Sequence, residues 1–109
     1  MGTMEAEGRK QRRRVKMARP VRVRPSDFQV THFDEVRVTL SASPDGLYFT
    51  TWRDTYHKGM RVLLTFPYSP SLDYSRFSEY VGEVVSVDAL ENSRRGIGVR
   101  FLMPLRPSL

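Results

Sequence analysis

The chain has 109 residues, no cysteine and a formal net charge of +6 at pH 7. This length suits one compact domain and is too short for two, and the lack of cysteine excludes a disulfide framework or a cysteine-based zinc site. No apolar run approaches the roughly 18 residues that a membrane-spanning helix needs, so we expect a cytoplasmic protein without a membrane span.

Half of the basic side chains lie between Arg9 and Arg24, where nine of sixteen residues are Lys or Arg and none is acidic. The rest of the chain has a formal charge of −3, because nine basic side chains oppose twelve acidic ones. Such a segregated charge favours a polyanionic partner, although it is also typical of a solvated tail. We predict a flexible basic arm at residues 1–17, a folded domain at 18–103 and a tail at 104–109.

Alternating apolar and polar residues predict the first strands. The run Pro20–Arg24 alternates valine and arginine, which is typical of a strand with one solvated face. A second alternating run covers Phe28–Leu40, with its aliphatic residues on one side. The segment Ser41–Gly46 then reads as a turn, in which Gly46 can take a positive φ at little steric cost.

The remaining elements are also predicted to be strands, and no segment has the pattern of a helix. They are separated by a turn at Tyr56–Gly59 and by loops at residues 67–74 and 90–95. The predicted strands are Leu47–Trp52, Met60–Phe66, Tyr80–Val87 and Ile97–Leu102. Six short strands favour an antiparallel barrel or sandwich, and a closed barrel leaves no exposed strand edges.

Several side chains receive a predicted position within this barrel. Four aromatic residues are expected in its core: Phe49, Trp52, Phe66 and Phe101. The strand at residues 80–87 is expected to present one set of alternating residues on a single side: Val81, Glu83, Val85 and Val87. The two histidines lie 25 residues apart and no nucleophile–base constellation is present, so no catalytic or metal-binding residue is predicted and the chain is not expected to be an enzyme.

The order of these features resembles the PilZ domain, a bacterial β-barrel module. A basic cluster precedes the first strand, and a Ser-x-Ser-x-x-Gly pattern occupies residues 41–46. Three short motifs follow in order: Gly46-Leu47-Tyr48-Phe49, Gly59-Met60-Arg61-Val62 and Gly98-Val99-Arg100-Phe101. The resemblance covers residues 12–102. It implies an all-β fold, namely a six-stranded antiparallel β-barrel of PilZ type with a flexible basic N-terminal arm.

The resemblance also implies a ligand, because PilZ domains typically bind the bacterial second messenger cyclic di-GMP. The first motif of the family is an Arg-x-x-x-Arg pair, often with an extra Arg before it. Here it falls on Arg12 with Lys16, accompanied by Arg13 and Arg14, and either of these two can take the first role instead. An Arg fork can grip a phosphate or the O6/N7 edge of guanine through two hydrogen bonds.

The second family motif, Asp/Asn-x-Ser-x-x-Gly, falls on Ser41, Ser43 and Gly46. The Ser43 hydroxyl can donate to a phosphate oxygen, and Gly46 allows the backbone to approach a ligand closely. The chain departs from the family pattern at two positions. Ser41 replaces a carboxylate or amide, and Lys16 replaces the second Arg and loses its planar fork.

Together these features imply a non-enzymatic receptor that orders its arm when it binds cyclic di-GMP and then signals to a downstream protein partner. No further cofactor and no metal are implied. A divergent PilZ-type interaction module that no longer binds the messenger is the alternative, and Ser41 argues for it. Nucleic-acid binding through the arm is disfavoured, because no aromatic residues are interleaved with the basic ones as a stacking platform would require.

Overall fold

The strands follow the alternating patterns of the sequence. The computed structural model describes residues 15–26, 32–69 and 78–106, and no α-helix occurs among them. Seven strands are present: β1 Val15–Lys16, β2 Pro20–Pro25, β3 Glu35–Ser43, β4 Gly46–Thr51, β5 Arg61–Phe66, β6 Ser78–Ala89 and β7 Arg95–Arg106. A 3₁₀ turn at Glu91–Ser93 connects β6 to β7. The last strand thus continues through Arg106, past residue 103, at which the folded domain was predicted to end.

Six of these strands close into an antiparallel barrel. They pair in the order β3-β2-β5-β6-β7-β4, and β4 pairs back with β3. The short β1 is an addition, which lies end to end with β2 along the same edge of β3. The predicted six-stranded antiparallel barrel is therefore confirmed, and its closure leaves β3 and β4 hydrogen-bonded at the predicted second motif.

The barrel interior is filled by branched aliphatic and aromatic side chains. Along β2 the valines are fully buried, whereas the intervening arginines are partly exposed, as the alternation predicted. Burial of each such side chain contributes about 1.5–3 kcal/mol. The largest fully buried apolar side chains are Val21, Val23, Leu47, Phe49, Val62, Leu64, Val84, Ile97 and Val99.

Strand β3 alternates as predicted, but its aliphatic side faces solvent. Its valines and Leu40 are exposed, whereas Thr39 is buried. Polar groups on the inner side have partners there: the Glu35 carboxylate accepts hydrogen bonds from Tyr56 and Thr51. The Arg37 Nε atom donates to the carbonyl oxygen of Thr50 at 2.8 Å. The hydrogen bonds to Glu35 offset the cost of turning its carboxylate inward, whereas the Arg37 guanidinium reaches the exposed ring of Trp52.

The predicted turn at residues 41–46 is wrong in its extent. Strand β3 continues through Ser43, and the turn contains only Pro44 and Asp45. Ser41 and Ala42 remain extended because they have partners on both edges of the strand, in β1 and in β4. The serines of the motif therefore lie on a strand and not in a loop.

The prediction of one continuous face on β6 is also wrong. The pairing of β6 with β7 shifts register between Val84 and Ser86. Val84 is buried, Val85 is exposed and Val87 packs against the core. An extra residue in one strand reverses the alternation, so residues on the two sides of the bulge no longer share a face.

Trp52 is exposed, which corrects its assignment to the core. Phe49 is fully buried as predicted, and Phe66 and Phe101 pack against the core while partly buried. Trp52 directly follows the last residue of β4, and the guanidinium groups of Arg37 and Arg94 lie against its ring. Its surroundings are therefore outside the barrel interior.

An ion pair on the outer surface supplies a pH-dependent contribution to stability. Arg22 donates from Nε and Nη2 to the two oxygens of Asp34, at 2.8 and 2.5 Å. These hydrogen bonds lower the pKa of Asp34 from its ordinary value of 3.8, and the charge of Arg22 adds to the effect. Because the folded-state pKa is depressed, the contribution is present above pH 3.8 and is lost as the pH falls through the folded-state value.

Asp34→Asn is therefore expected to lower the free energy of unfolding at pH 7 by no more than about 1 kcal/mol, since both groups are partly exposed to solvent. The difference in stability between the variant and the wild type should shrink as the pH falls from 7 to 2. Urea denaturation at the two pH values checks this. A difference that is as large at pH 2 as at pH 7 would assign the effect to packing instead.

Candidate ligand-binding site

The β3–β4 hairpin holds the second motif in a tight turn. Ser43 pairs with Gly46 across the hairpin, with two residues between them. The backbone N–H of Asp45 donates to the Ser43 hydroxyl oxygen at 3.1 Å. The hydroxyl hydrogen of Ser43 is then left to donate to another group, and no described residue accepts it.

Glycine is required at position 46 because β4 and β7 lie very close together there. A Cβ atom on this residue would lie less than 3.0 Å from the carbonyl oxygen of Val99 in β7. The expected positive φ at Gly46 is wrong, because among the described glycines only Gly59 has one, at 90°. Gly46 therefore holds β4 against β7 and keeps the hairpin in place beside that strand.

The segment that follows the basic cluster is bonded to β3. In β1, Val15 lies opposite Ala42 and Lys16 lies opposite Ser41. The N–H of Met17 then donates to the carbonyl oxygen of Leu40 at 3.2 Å. These bonds bring the predicted residues Lys16 and Ser41 together as direct cross-strand neighbours.

Thr39 holds the next part of this segment. Its N–H donates to the carbonyl oxygen of Arg19 at 2.9 Å, and its hydroxyl donates to the carbonyl oxygen of Met17 at 2.5 Å. Arg12, Arg13 and Arg14 lie outside the described residues. They immediately precede Val15 in the sequence.

A row of paired residues continues from Lys16 across five strands. Successive partners in adjacent strands are Lys16, Ser41, Tyr48, Gly98 and Ser86. Adjacent strands lie about 4.8 Å apart, so the row extends roughly 19 Å across the outer surface of the barrel.

Tyr48 lies flat against β7 in the middle of this row. A Cβ atom on Gly96 would meet the phenol oxygen at less than 3.0 Å, and one on Gly98 would lie 3.7 Å from the ring. The Tyr48 hydroxyl donates to Asp88 Oδ2 at 2.9 Å. Two glycines in β7 thus leave room for the ring, and Asp88 fixes its position.

Arg100 is a cation at the site to which sequence reasoning assigned no role. It pairs with Gly46 on one side and with Glu83 on the other. Its Nη2 atom donates to Glu83 Oε1 at 2.8 Å, and the side chain is 59% exposed. The signal was present in the sequence, because Arg100 follows the buried Val99 and so must face outward.

The described residues form neither a candidate metal centre nor a membrane-spanning helix. They contain no group of three or more His, Cys, Asp or Glu side chains that is able to hold a metal ion. No helix within these residues is long and apolar enough to cross a membrane. The arrangement at the hairpin offers hydroxyl donors and cations, which suits the binding of a phosphate-containing ligand.

Comparisons with known proteins point to one family. The family model for the PilZ domain matches residues 7–109. The chain is similar in structure to the PlzA protein of Borreliella burgdorferi, solved in complex with c-di-GMP, with a TM-score of 0.57 and 18% sequence identity. The match covers 99% of this chain and 50% of that chain, and at this identity it shows the fold alone. No curated protein matches the sequence significantly.

Proposed function

The chain belongs to the PilZ domain family, and we propose that it binds cyclic di-GMP on the outer face of the barrel, between residues 12–16 and the β3–β4 hairpin. One observation carries this proposal most directly. Lys16 at the end of the basic cluster lies opposite Ser41 of the second motif. The described end of the basic cluster and the second motif, some 25 residues apart in the sequence, are therefore cross-strand neighbours.

The residues at this surface match the chemistry of the messenger. Cyclic di-GMP presents two phosphodiesters and two guanines. The arginines at positions 12–14 can pair with a phosphate or with the O6/N7 edge of a guanine. The Ser43 hydroxyl has a hydrogen to donate to a phosphate oxygen, and the exposed Arg100 supplies a further cation two residues from Gly98.

The two departures from the family pattern weaken particular contacts. Ser41 can accept only a weaker hydrogen bond from a guanine N–H than a carboxylate would accept. Lys16 keeps its charge but cannot form a two-point contact. Each change costs about 1–3 kcal/mol where the contact is fully made. We infer that Arg100 and the run of three arginines offset part of this loss.

Binding also provides a route to a signal. Residues 15–19 are held to β3 by the hydrogen bonds of Met17, Arg19 and Thr39. The ligand would fix the basic residues before Val15 against the same surface. The receptor would then present a new surface to a downstream protein, which is a disorder-to-order switch. No catalytic step is involved in this mechanism.

Titration calorimetry of the folded protein tests the proposal. We expect measurable heat with cyclic di-GMP at tens of micromolar, and at least tenfold weaker binding of cyclic di-AMP at the same salt concentration. The discrimination follows because adenine lacks the O6 acceptor that an Arg fork recognises. Absence of heat with cyclic di-GMP would exclude the receptor role. Equal affinity for the two dinucleotides would show that the protein recognises their charge and not their bases.

Ser41→Asp is expected to raise the affinity for cyclic di-GMP about tenfold, which corresponds to about 1.4 kcal/mol. The added carboxylate can accept two N–H groups from a guanine edge. The matched control is Ser93→Asp, which adds the same charge in the exposed β6–β7 loop and should leave the affinity unchanged. A decrease in the Ser41 variant would show that the position does not face guanine.

A second candidate function is favoured by the presence of Ser41 itself. A PilZ-type module that has lost the messenger would bind only a protein partner. The same substitution separates the two candidates, because a wild type without measurable affinity and a Ser41→Asp variant that binds would support the loss of an ancestral site.

A further inference from the structure

Large apolar side chains are exposed on the outer side of β3, directly after β4 and in the β6–β7 loop. Val36, Val38 and Leu40 on the outer side of β3 are 47%, 55% and 52% exposed. Trp52 after β4 is 60% exposed, and Leu90 in the β6–β7 loop is 39% exposed. With Arg37 and Arg94, these residues are called the Trp52 surface below.

Two arginines on this surface hold the indole. The guanidinium carbons of Arg37 and Arg94 lie 5.5 and 5.4 Å from the ring centroid of Trp52. Both are positioned by Thr50: Arg37 donates to its carbonyl oxygen and Arg94 donates to its hydroxyl, each at 2.8 Å. Three groups that are distant in sequence thus form one contiguous cluster.

These two cations lack an acidic partner. The ion pairs of the described residues involve Arg22, Arg53 and Arg100, so no described carboxylate lies within 4.0 Å of the guanidinium of Arg37 or Arg94. The Arg94 Nε atom is buried and has no hydrogen-bond acceptor among the described residues. The surface therefore offers unpaired positive charge next to exposed apolar area.

A groove adjoins the cluster. It has a volume of about 620 Å³, and its lining contains one acid and one base: Leu40, Thr50, Ala89, Leu90, Glu91, Asn92 and Arg94. Leu40 and Arg94 thus belong both to the groove and to the Trp52 surface. A short peptide segment can enter it while contacting Leu40 and Arg94.

We propose that the Trp52 surface docks a partner protein through a short segment in which acidic and large apolar residues are adjacent. Trp and Arg are the residues most enriched at the energetic centres of interfaces, and this surface combines one Trp with two Arg and contains no Lys. The apolar residues of the segment would pack on Val36, Val38 and Leu40. Its carboxylate would pair with Arg37 and Arg94, which suit two-point recognition of an acid.

Charge disfavours the other occupants. A second copy of the chain would bring four guanidinium groups together across a two-fold interface, where like charges repel. The chain's own N-terminal segment carries five basic residues among residues 9–14 and would meet the same repulsion. A nucleic acid can pair with the arginines through its phosphates, but it would leave the aliphatic residues of β3 uncovered.

The location also places this surface beside the proposed messenger site. Leu40 immediately precedes Ser41, and its carbonyl oxygen accepts the N–H of Met17 from the basic segment. A docked segment would therefore lie next to the residues that are expected to order around cyclic di-GMP. The docking proposal itself does not depend on messenger binding.

A peptide to probe this surface can be selected from a random peptide library displayed on phage. The immobilised full chain serves as the target of the selection. The selected peptides should be enriched in Asp or Glu next to aromatic or aliphatic residues. A selected peptide without tryptophan should then shift the fluorescence of Trp52, the sole tryptophan of the chain, to shorter wavelength on titration. A library that yields no enrichment, or enriches basic peptides, would overturn the proposal.

Substitutions test whether the selected peptide binds through Arg37, Arg94 and Trp52. The double variant Arg37→Gln, Arg94→Gln should weaken the peptide at least tenfold, as should replacement of the peptide's acids by amides. Trp52→Ala, followed by calorimetry, should have a similar effect. Two control variants lie elsewhere on the surface: Leu102→Ala removes an exposed apolar side chain, and Arg61→Gln removes an exposed cation. Both should bind the peptide like the wild type. Circular dichroism confirms that each variant is folded.

Three further outcomes would contradict the proposal. One is peptide affinity within twofold of the wild type in the double arginine variant. Another is a concentration-dependent dimer that Trp52→Ala abolishes, which would assign the surface to self-association. The last is a single-stranded oligonucleotide that produces the fluorescence shift and competes with the peptide, which would assign the surface to nucleic acid.

Discussion

Simultaneous replacement of Arg12, Arg13 and Arg14 by Gln should lower the affinity for cyclic di-GMP at least 100-fold, or about 2.7 kcal/mol. Hydrogen bonds to charged groups contribute about 1.5–3 kcal/mol each, so the loss of two made contacts suffices. The barrel should remain as stable as the wild type, because the core residues all come from β2 onward. Calorimetric titration and urea denaturation measure the two quantities.

The control for this variant removes the same charge at another place. Arg53, Lys58 and Arg61 are exposed cations outside the proposed site, and their replacement by Gln changes the net charge equally. This control should lose affinity less than threefold, because only long-range attraction is reduced. Equal losses in the two triple variants would show that total charge, and not the basic arm, attracts the messenger.

Gly46→Ala should lower the free energy of unfolding by about 3 kcal/mol or more. The new methyl group would overlap the backbone carbonyl oxygen of Val99, and a backbone atom cannot move aside as a flexible side chain can. Relief would require β4 and β7 to separate, which would break the pairing of Gly46 with Arg100. Such a loss is a large part of the 5–15 kcal/mol that stabilises a typical domain. Urea denaturation of the two proteins measures it.

Gly59→Ala provides the contrast, because Gly59 has a φ of 90° and no heavy atom within 4 Å of an added Cβ. Only backbone strain opposes this change, and about 1 kcal/mol is expected. If Gly46→Ala were no more destabilising than Gly59→Ala, the close approach of β4 to β7 would not be the reason for glycine at position 46.

The strands could be predicted because their alternation reports directly on burial. The valines of β2 alternate with arginines, and the structure buries the first and partly exposes the second. The motif at residues 41–46 also fell at a real hairpin, since Pro44 and Asp45 are turn formers. The pairing of Lys16 with Ser41 was expected from the family resemblance and not from the local sequence pattern. Pairing between strands that are distant in the sequence produces no recognisable pattern in either strand.

What could not be predicted depends on neighbours that are remote in sequence. The alternation in β3 gives a period but not the side that faces inward, where Glu35 accepts hydrogen bonds from Thr51 and Tyr56. Trp52 was assigned to the core by its size, whereas two arginines 15 and 42 residues away hold it at the surface. The bulge after Val84 depends on the partner strand, so the sequence of β6 alone does not reveal it.

The proposed receptor role requires the basic segment and the β3–β4 hairpin to bind one ligand together. Amide resonances recorded during a titration with cyclic di-GMP test this most directly. We predict that the resonances of residues 12–17 and 41–46 shift together, with the same midpoint, while those of β5 remain in place. Shifts confined to one of the two segments, or found only elsewhere on the barrel, would contradict it.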